Sequence, residues 1–153
     1  MIRSIATHLS ECPVFKIAEQ DTNKFVILAD SQEQPLPFVL VVEIFDGHGA
    51  TPPNVHKTAY ENFYLLSGEG QAVVGDDRIA LRPGSCLTVP PGVTHQIINT
   101  APHKLYVLTM MSPDEAFSTL IRSGVPATLD AEDEAVLLEG ARGLPAVGGQ
   151  GVV

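Results

Sequence analysis

The amino-acid sequence predicts an all-β fold, a sandwich or barrel of short antiparallel strands followed by one or two short C-terminal helices. Three observations predict it. From Phe15 to Met111 the chain is a series of short runs rich in Val, Ile, Leu, Phe and Tyr, each bounded by Pro, Gly, Asn or Asp. No segment of helical length separates those runs, as an α/β sheet would require. At Ser112 the pattern changes, and a helix start signal appears for the first time.

The runs are FKIAE, FVILAD after Asp21-Thr22-Asn23, and FVLVVEIF after Gln34-Pro35-Leu36-Pro37. A Gly- and Pro-rich stretch, Asp46 to Pro53, must be a loop, and it leads through His56 into ENFYLLSG. Strand side chains alternate, so Glu61, Phe63 and Leu65 share one face and Tyr64 points the other way. Then come QAVV, RIAL, SCLTV, THQIIN and KLYVLTMM, separated by Gly75-Asp76, Arg82-Pro83-Gly84, Pro90-Pro91-Gly92 and a Pro-containing turn. Gly-Asp between two apolar runs is a hairpin signal.

Ser112, Pro113 and Glu115 read as a capping box that opens a helix over about 113–122, with Phe117, Leu120 and Ile121 as its apolar stripe. A second short helix is expected from Asp130 to Glu139. The tail, 141–153, is rich in Gly and poor in large side chains, and is expected to be flexible. A single domain over 1–140 follows, with a β core over about 38–111; 153 residues suffice for one hydrophobic core.

Nine Lys and Arg against eighteen Asp and Glu give a formal net charge of −9, which excludes phosphate-backbone attraction as a basis for function and disfavours anionic membranes. The N-terminal residues carry no apolar run followed by a small-residue cleavage site, and the longest apolar run, Phe38 to Val42, is too short to span a bilayer. A cytoplasmic protein is expected. Cys12 and Cys86 form no disulfide framework; reduced thiols are expected, with Cys86 a small buried hydrophobe.

Two of the five histidines sit in long fixed-spacing patterns. The later one runs Gly84, five residues, Pro90, one, Gly92, two, His95, three, Asn99; the earlier runs His56, four residues, Glu61, six, Gly68. Both resemble the sequence motifs of the cupin family, over roughly Val39 to Met110. The resemblance implies a double-stranded β-helix (jelly-roll) barrel, a frequent homodimer, and metal ligation by His56, Glu61 and His95. Where cupins commonly carry His-x-His, this chain has Asn54-Val55-His56, so Asn54 takes the place of the missing imidazole.

Two imidazoles and a carboxylate suit Fe, Mn, Ni or Zn as the divalent ion and leave coordination positions open. Asn54 offers a weaker carbonyl oxygen, either to the ion or to a water upon it, or else orders its own turn. Phe63, Leu65 and Ile97 are expected to line the cavity, which suits a small, partly apolar substrate. Tyr60 and Tyr64, flanking Glu61, and His48, in a Gly-flanked loop, are candidate catalytic groups; packing or a subunit interface for the tyrosines, and a surface loop for His48, are the alternatives. Asn99 is expected to order its turn. The expected function is that of a metal-dependent enzyme with dioxygenase-like chemistry. Isomerase or lyase chemistry and non-catalytic binding are the alternatives.

Overall fold

The computed structural model describes residues 3–142. Among the described residues, ten strands form two antiparallel sheets. They are β1 (Val14–Lys16), β2 (Asn23–Ala29), β3 (Val39–Phe45), β4 (Tyr60–Ser67), β5 (Gly70–Val74), β6 (Asp77–Leu81), β7 (Cys86–Val89), β8 (His95–Asn99), β9 (Leu105–Ser112) and β10 (Val125–Ala127). The larger sheet has the order β10-β1-β2-β3-β9-β4-β7 and the smaller β6-β5-β8. Helix α1 (Phe117–Arg122) lies between β9 and β10, and α2 (Ala131–Arg142) follows β10. Helix α2 thus reaches the first two positions of the expected tail; the rest, 143–153, lies outside the described residues.

The expected closed barrel is not formed: the two sheets face one another as the halves of a jelly roll without a continuous hydrogen-bonded circuit. The reason lies in residues 46–57. This segment runs beside β8 and hydrogen-bonds to it, but forms no regular ladder with it, only the isolated bridges of Ala50 with Ile98 and Asn54 with His95. Pro52 and Pro53 have no N–H to give, so a regular ladder cannot run through them.

The β5–β6 hairpin forms where Gly75-Asp76 foretold it, with Val74 opposite Asp77 and Gly75 at φ +58°, as a primed two-residue turn requires. Strand β3 has few polar residues because the sheet is covered on both sides. Its outward Val42 and Ile44 pack with Val14, Val26 and Tyr106, and Leu137 of α2 packs against that group. Its inward Val39 and Val41 join Phe25, Ile27, Met111 and Ile121 of α1. Phe45 joins the core between the sheets, with Phe63, Leu65, Ile97 and Leu105.

Helix α1 begins at Phe117, not at Pro113, and the capping box does not form. Strand β9 continues through Ser112, whose hydroxyl donates to Pro37 O. Glu115 turns back across the molecule, and Glu115 and Ala116 both take left-handed backbone angles, φ +49° and +63°. Tertiary contacts outweigh the local signal here. Asp114 takes over part of the capping role by accepting from Ser118 N at 2.8 Å. Of the expected stripe, Ile121 is buried while Leu120 stays exposed. Cys86 is also exposed, because β7 is an edge strand and its Cys86 lies on the outward face opposite Tyr64.

Helix α2 is pinned by one fully buried carboxylate. Asp133 accepts from Lys24 Nζ on β2, from Lys104 Nζ and, at 2.9 Å, from Tyr106 Oη on β9. Burial would raise its pKa, but those donors and the Asp130 backbone outweigh it and hold the carboxyl at about 2. Removing one member of such a set strands the others. Asp133→Ala is therefore expected to cost about 3–5 kcal/mol in chemical denaturation, whereas an exposed control, Glu134→Ala, stays within about 0.5 kcal/mol of the parent. Equal effects of the two substitutions would show that α2 is not anchored in this way.

Candidate metal centre

Three segments bring the candidate ligands together. Glu61 is the second residue of β4, on the inward face with Phe63 and Leu65. His95 opens β8 directly after the Pro90-Pro91-Gly92 turn, in which Gly92 has φ +81°. His56 lies in the irregular segment before β4, and that segment is clipped to the His95 side. Asn54 and His95 exchange both backbone hydrogen bonds at 2.9 Å, and Gly92 N donates to His56 O at 2.8 Å.

The ligand atoms of His56, Glu61 and His95 all lie within 4.8 Å of one another. Glu61 Oε2 is 2.9 Å from His56 Nε2 and 2.7 Å from His95 Nε2, so one carboxylate oxygen bridges two imidazoles. Burial pushes the Glu61 pKa up, but the hydrogen bonds from both histidines and their charge prevail and hold it below the ordinary value. For His95 burial pulls the pKa down; the Glu61 hydrogen bond, the Val93 carbonyl and the Glu61 charge reverse this and raise it. His95 Nδ1 donates to Val93 O at 3.0 Å, which fixes the ring and directs Nε2 into the site. His95 is buried, with the edge of Phe63 against it.

The turn between His56 and Glu61 has its own clamp. The Glu115 carboxylate accepts from the backbone N–H groups of Lys57, Thr58 and Ala59 and from the Thr58 hydroxyl. These hydrogen bonds hold the Glu115 pKa at about 2. The left-handed backbone at Glu115 and Ala116 is the local cost of that reach.

The triad lies in a cavity of about 300 Å³. Its apolar wall comes from Ile17, Phe25, Phe63, Phe117 and Leu120, and its polar groups include Asn23, Glu43, Asn54 and the three ligands. Asn54 Nδ2 donates to Pro52 O at 3.3 Å, whereas the buried Asn54 Oδ1 has no hydrogen-bond partner. Leu65 and Ile97 do not line this cavity as expected; they lie in the core cluster between the sheets. A larger cavity, about 490 Å³, lies under the N-terminal segment around Asp30 and Arg122, and none of the three triad residues lines it.

The other candidate residues are not brought to the triad. Tyr60 and Tyr64 sit on the outward face of β4, 53% and 44% exposed, because they alternate with Glu61 and Phe63. His48 is exposed in a left-handed turn at φ +57° and lines no part of the cavity. Asn99 orders its turn: Nδ2 donates to Asp46 O and His103 O, and Oδ1 accepts from Ala101 N.

Glu43 is the cavity group that sequence reasoning missed. It is 2% exposed on β3. Asn23 Nδ2 donates to Glu43 Oε1 at 2.7 Å, and Thr109 Oγ1 lies 3.5 Å from Glu43 Oε2. Burial pushes its pKa up to about 8; the Asn23 hydrogen bond opposes this, the Glu61 charge adds to it, and Thr109 opposes it more weakly. The signal was present in the sequence: Glu43 is the lone charged residue in FVLVVEIF. Glu115 had no such signal, since its spacing from Ser112 read as a cap.

Residues 41–111 match the Cupin domain family. The matched segment runs from β3 to β9. No curated protein sequence is similar to the chain. Among solved structures, a predicted oxalate decarboxylase from Thermotoga maritima is similar, with 17% identity, TM-score 0.64, and coverage of 71% of this chain and 99% of that one. The cupin domain of Schizosaccharomyces pombe Cnp3 is 18% identical, with TM-score 0.60 and 85% of each chain covered. KdgF from Halomonas sp. is 20% identical, with TM-score 0.53, and covers 60% of this chain and 79% of its own. At these identities the structural likenesses show a shared cupin fold.

The proton on Glu43 has a measurable consequence in the metal-free protein. The unfolded chain releases it near the ordinary 4.5, the folded chain only near 8, so the folded state binds more protons between those values. Stability from this group is therefore lost as pH rises through that window. Relative to Glu43→Gln, the wild type should lose up to a few kcal/mol in urea denaturation across it. Parallel pH profiles for the two proteins would refute the assignment.

Proposed function

We propose that the protein is a metal-dependent cupin enzyme acting on a small organic molecule, with a divalent ion held by His56, Glu61 and His95. The observation that carries this is the convergence of three ligand atoms within 4.8 Å on the wall of a cavity of about 300 Å³. A mixed nitrogen and oxygen set of this kind fits Fe, Mn, Ni or Zn, and three protein ligands leave positions open. Such an ion supplies Lewis acidity or, if redox-active, dioxygenase-like oxidation.

The chain's own residues supply the rest. His95 is presented by the Val93 carbonyl with Nε2 toward the ion. Asn54, at the place of the family's missing imidazole, has an unpartnered buried oxygen at the cavity and serves as a neutral donor to the ion or to its water. Phe25, Phe63, Phe117 and Leu120 keep water from the body of the substrate. Isomerase or lyase chemistry is the second reading, and Glu43 favours it, because a buried carboxyl retaining its proton near neutral pH is the acid–base group such a reaction needs.

Elemental analysis of the purified protein should find close to one equivalent of Fe, Mn, Ni or Zn, and His95→Ala should lose most of it. Unchanged metal content in the variant would overturn the site. Metal lost with no turnover by the wild type across a broad substrate screen would favour a non-catalytic binding protein.

We also propose a homodimer formed through the outward face of β4 and β9. Tyr60, Tyr64, Leu66 and Met110 are exposed there, and large side chains of this kind typify subunit interfaces. Light scattering at micromolar concentration should give a dimer mass, and Tyr64→Arg should give a monomer; a monomeric wild type would refute the proposal.

A further inference from the structure

The inward face of the larger sheet carries one polar line between two apolar clusters. Asn23 lies opposite Phe45, two residues from Glu43. Glu43 lies opposite Val107, two residues from Thr109. Thr109 lies opposite Phe63, two residues from Glu61. Asn23, Glu43, Thr109 and Glu61 therefore form a diagonal across β2, β3, β9 and β4, each step being the diagonal contact of an antiparallel pair. One end of the line is the metal triad. At the other, Asn23 and Glu43 come to the wall of the same cavity, while Thr109 is buried and does not line it.

Glu43 has hydrogen-bonding capacity left over. Oε1 takes the Asn23 amide at 2.7 Å, but Oε2 has only the Thr109 hydroxyl at the limiting distance of 3.5 Å. Phe25, directly opposite Glu43 on β2, and Phe63 are among the apolar residues that line the same cavity. A buried carboxyl with one side open to a cavity is placed to meet a ligand.

We infer that Glu43 grips the far end of the ligand, so that the site takes a short, apolar-bodied oxo acid whose carboxylate meets the ion and whose neutral carbonyl oxygen accepts from the Glu43 carboxyl. The inference rests on the triad holding an ion, as proposed above. A single anionic end suits a chain of net charge −9 better than two, and the apolar walls suit a hydrocarbon middle. The protonated state of Glu43 makes it a donor, which a carbonyl needs and a hydrocarbon cannot use.

The test compares levulinate with valerate, which has the same chain and carboxylate but no ketone, and the next longer oxo acid with caproate. Binding is followed by the visible bands of Co(II)-loaded protein and by calorimetry. At least one oxo acid should bind about tenfold tighter than its ketone-free analogue, the worth of one hydrogen bond to a buried donor. Glu43→Met, with an unbranched side chain of similar reach, should abolish that ratio while keeping the Co(II) bands and the valerate affinity. Glu43→Gln, whose amide can accept from Asn23 and still donate, should retain it. A ratio unchanged in Glu43→Met, or no preference for either oxo acid in the wild type, overturns the inference while leaving the ion site standing. Absence of Co(II) bands in the wild type overturns the ion site and the two-ended grip together.

Discussion

A carboxylate on an otherwise apolar strand face must be compensated, and the centre of this molecule is arranged around that requirement at Glu61. Left alone there, the charge would cost several kcal/mol. Two imidazoles remove the penalty by converging on a single oxygen, at 2.9 and 2.7 Å. Convergence of this kind serves protons and metal ions equally, since each occupies the space between the lone pairs of the ligands. The same contact that stabilises the folded chain therefore gathers three potential metal-ligating atoms within 4.8 Å of one another.

Keeping those side chains in place falls to three backbone devices of different origin. The bridge between Asn54 and His95 joins the loop to β8, Gly92 N joins the turn before His95 to His56, and Glu115 gathers the N–H groups of residues 57–59. None of them belongs to a regular ladder. The open stretch of the sheets, residues 46–57, also carries part of the site: Asn54 and His56, two residues apart, both reach the cavity from it.

Strands and turns were legible in the sequence because they depend on local rules, and the run ENFYLLSG shows which residues share a face; the grouping of His56, Glu61 and His95 came from the resemblance of their spacings to the cupin motifs. Closure into a barrel was not legible, since it depends on whether a Gly- and Pro-containing segment completes a ladder with a distant strand. The helix start at Ser112 was misread for a related reason. Glu115 has a local partner on offer in the capping box and a distant one at residues 57–59, and the distant set, with three N–H donors and a hydroxyl, satisfies more of the carboxylate. Tyr60 and Tyr64 were drawn into the site by nearness in sequence, although alternation along β4 sends them to the opposite face.

Glu43 shows how the two levels meet. Its oddity within FVLVVEIF is a property of sequence, but its meaning is a property of register: only the pairing of β2, β3, β9 and β4 places it on the diagonal that ends at Glu61. Two carboxyl groups on one inward face then diverge in state through their neighbours. Glu61, met by two imidazoles, is held ionised, whereas Glu43, met by a neutral amide and a hydroxyl, keeps its proton. The cavity wall therefore carries one ionised and one protonated carboxyl, and the difference arises from the choice of partners, since both groups are the same residue in comparably buried positions.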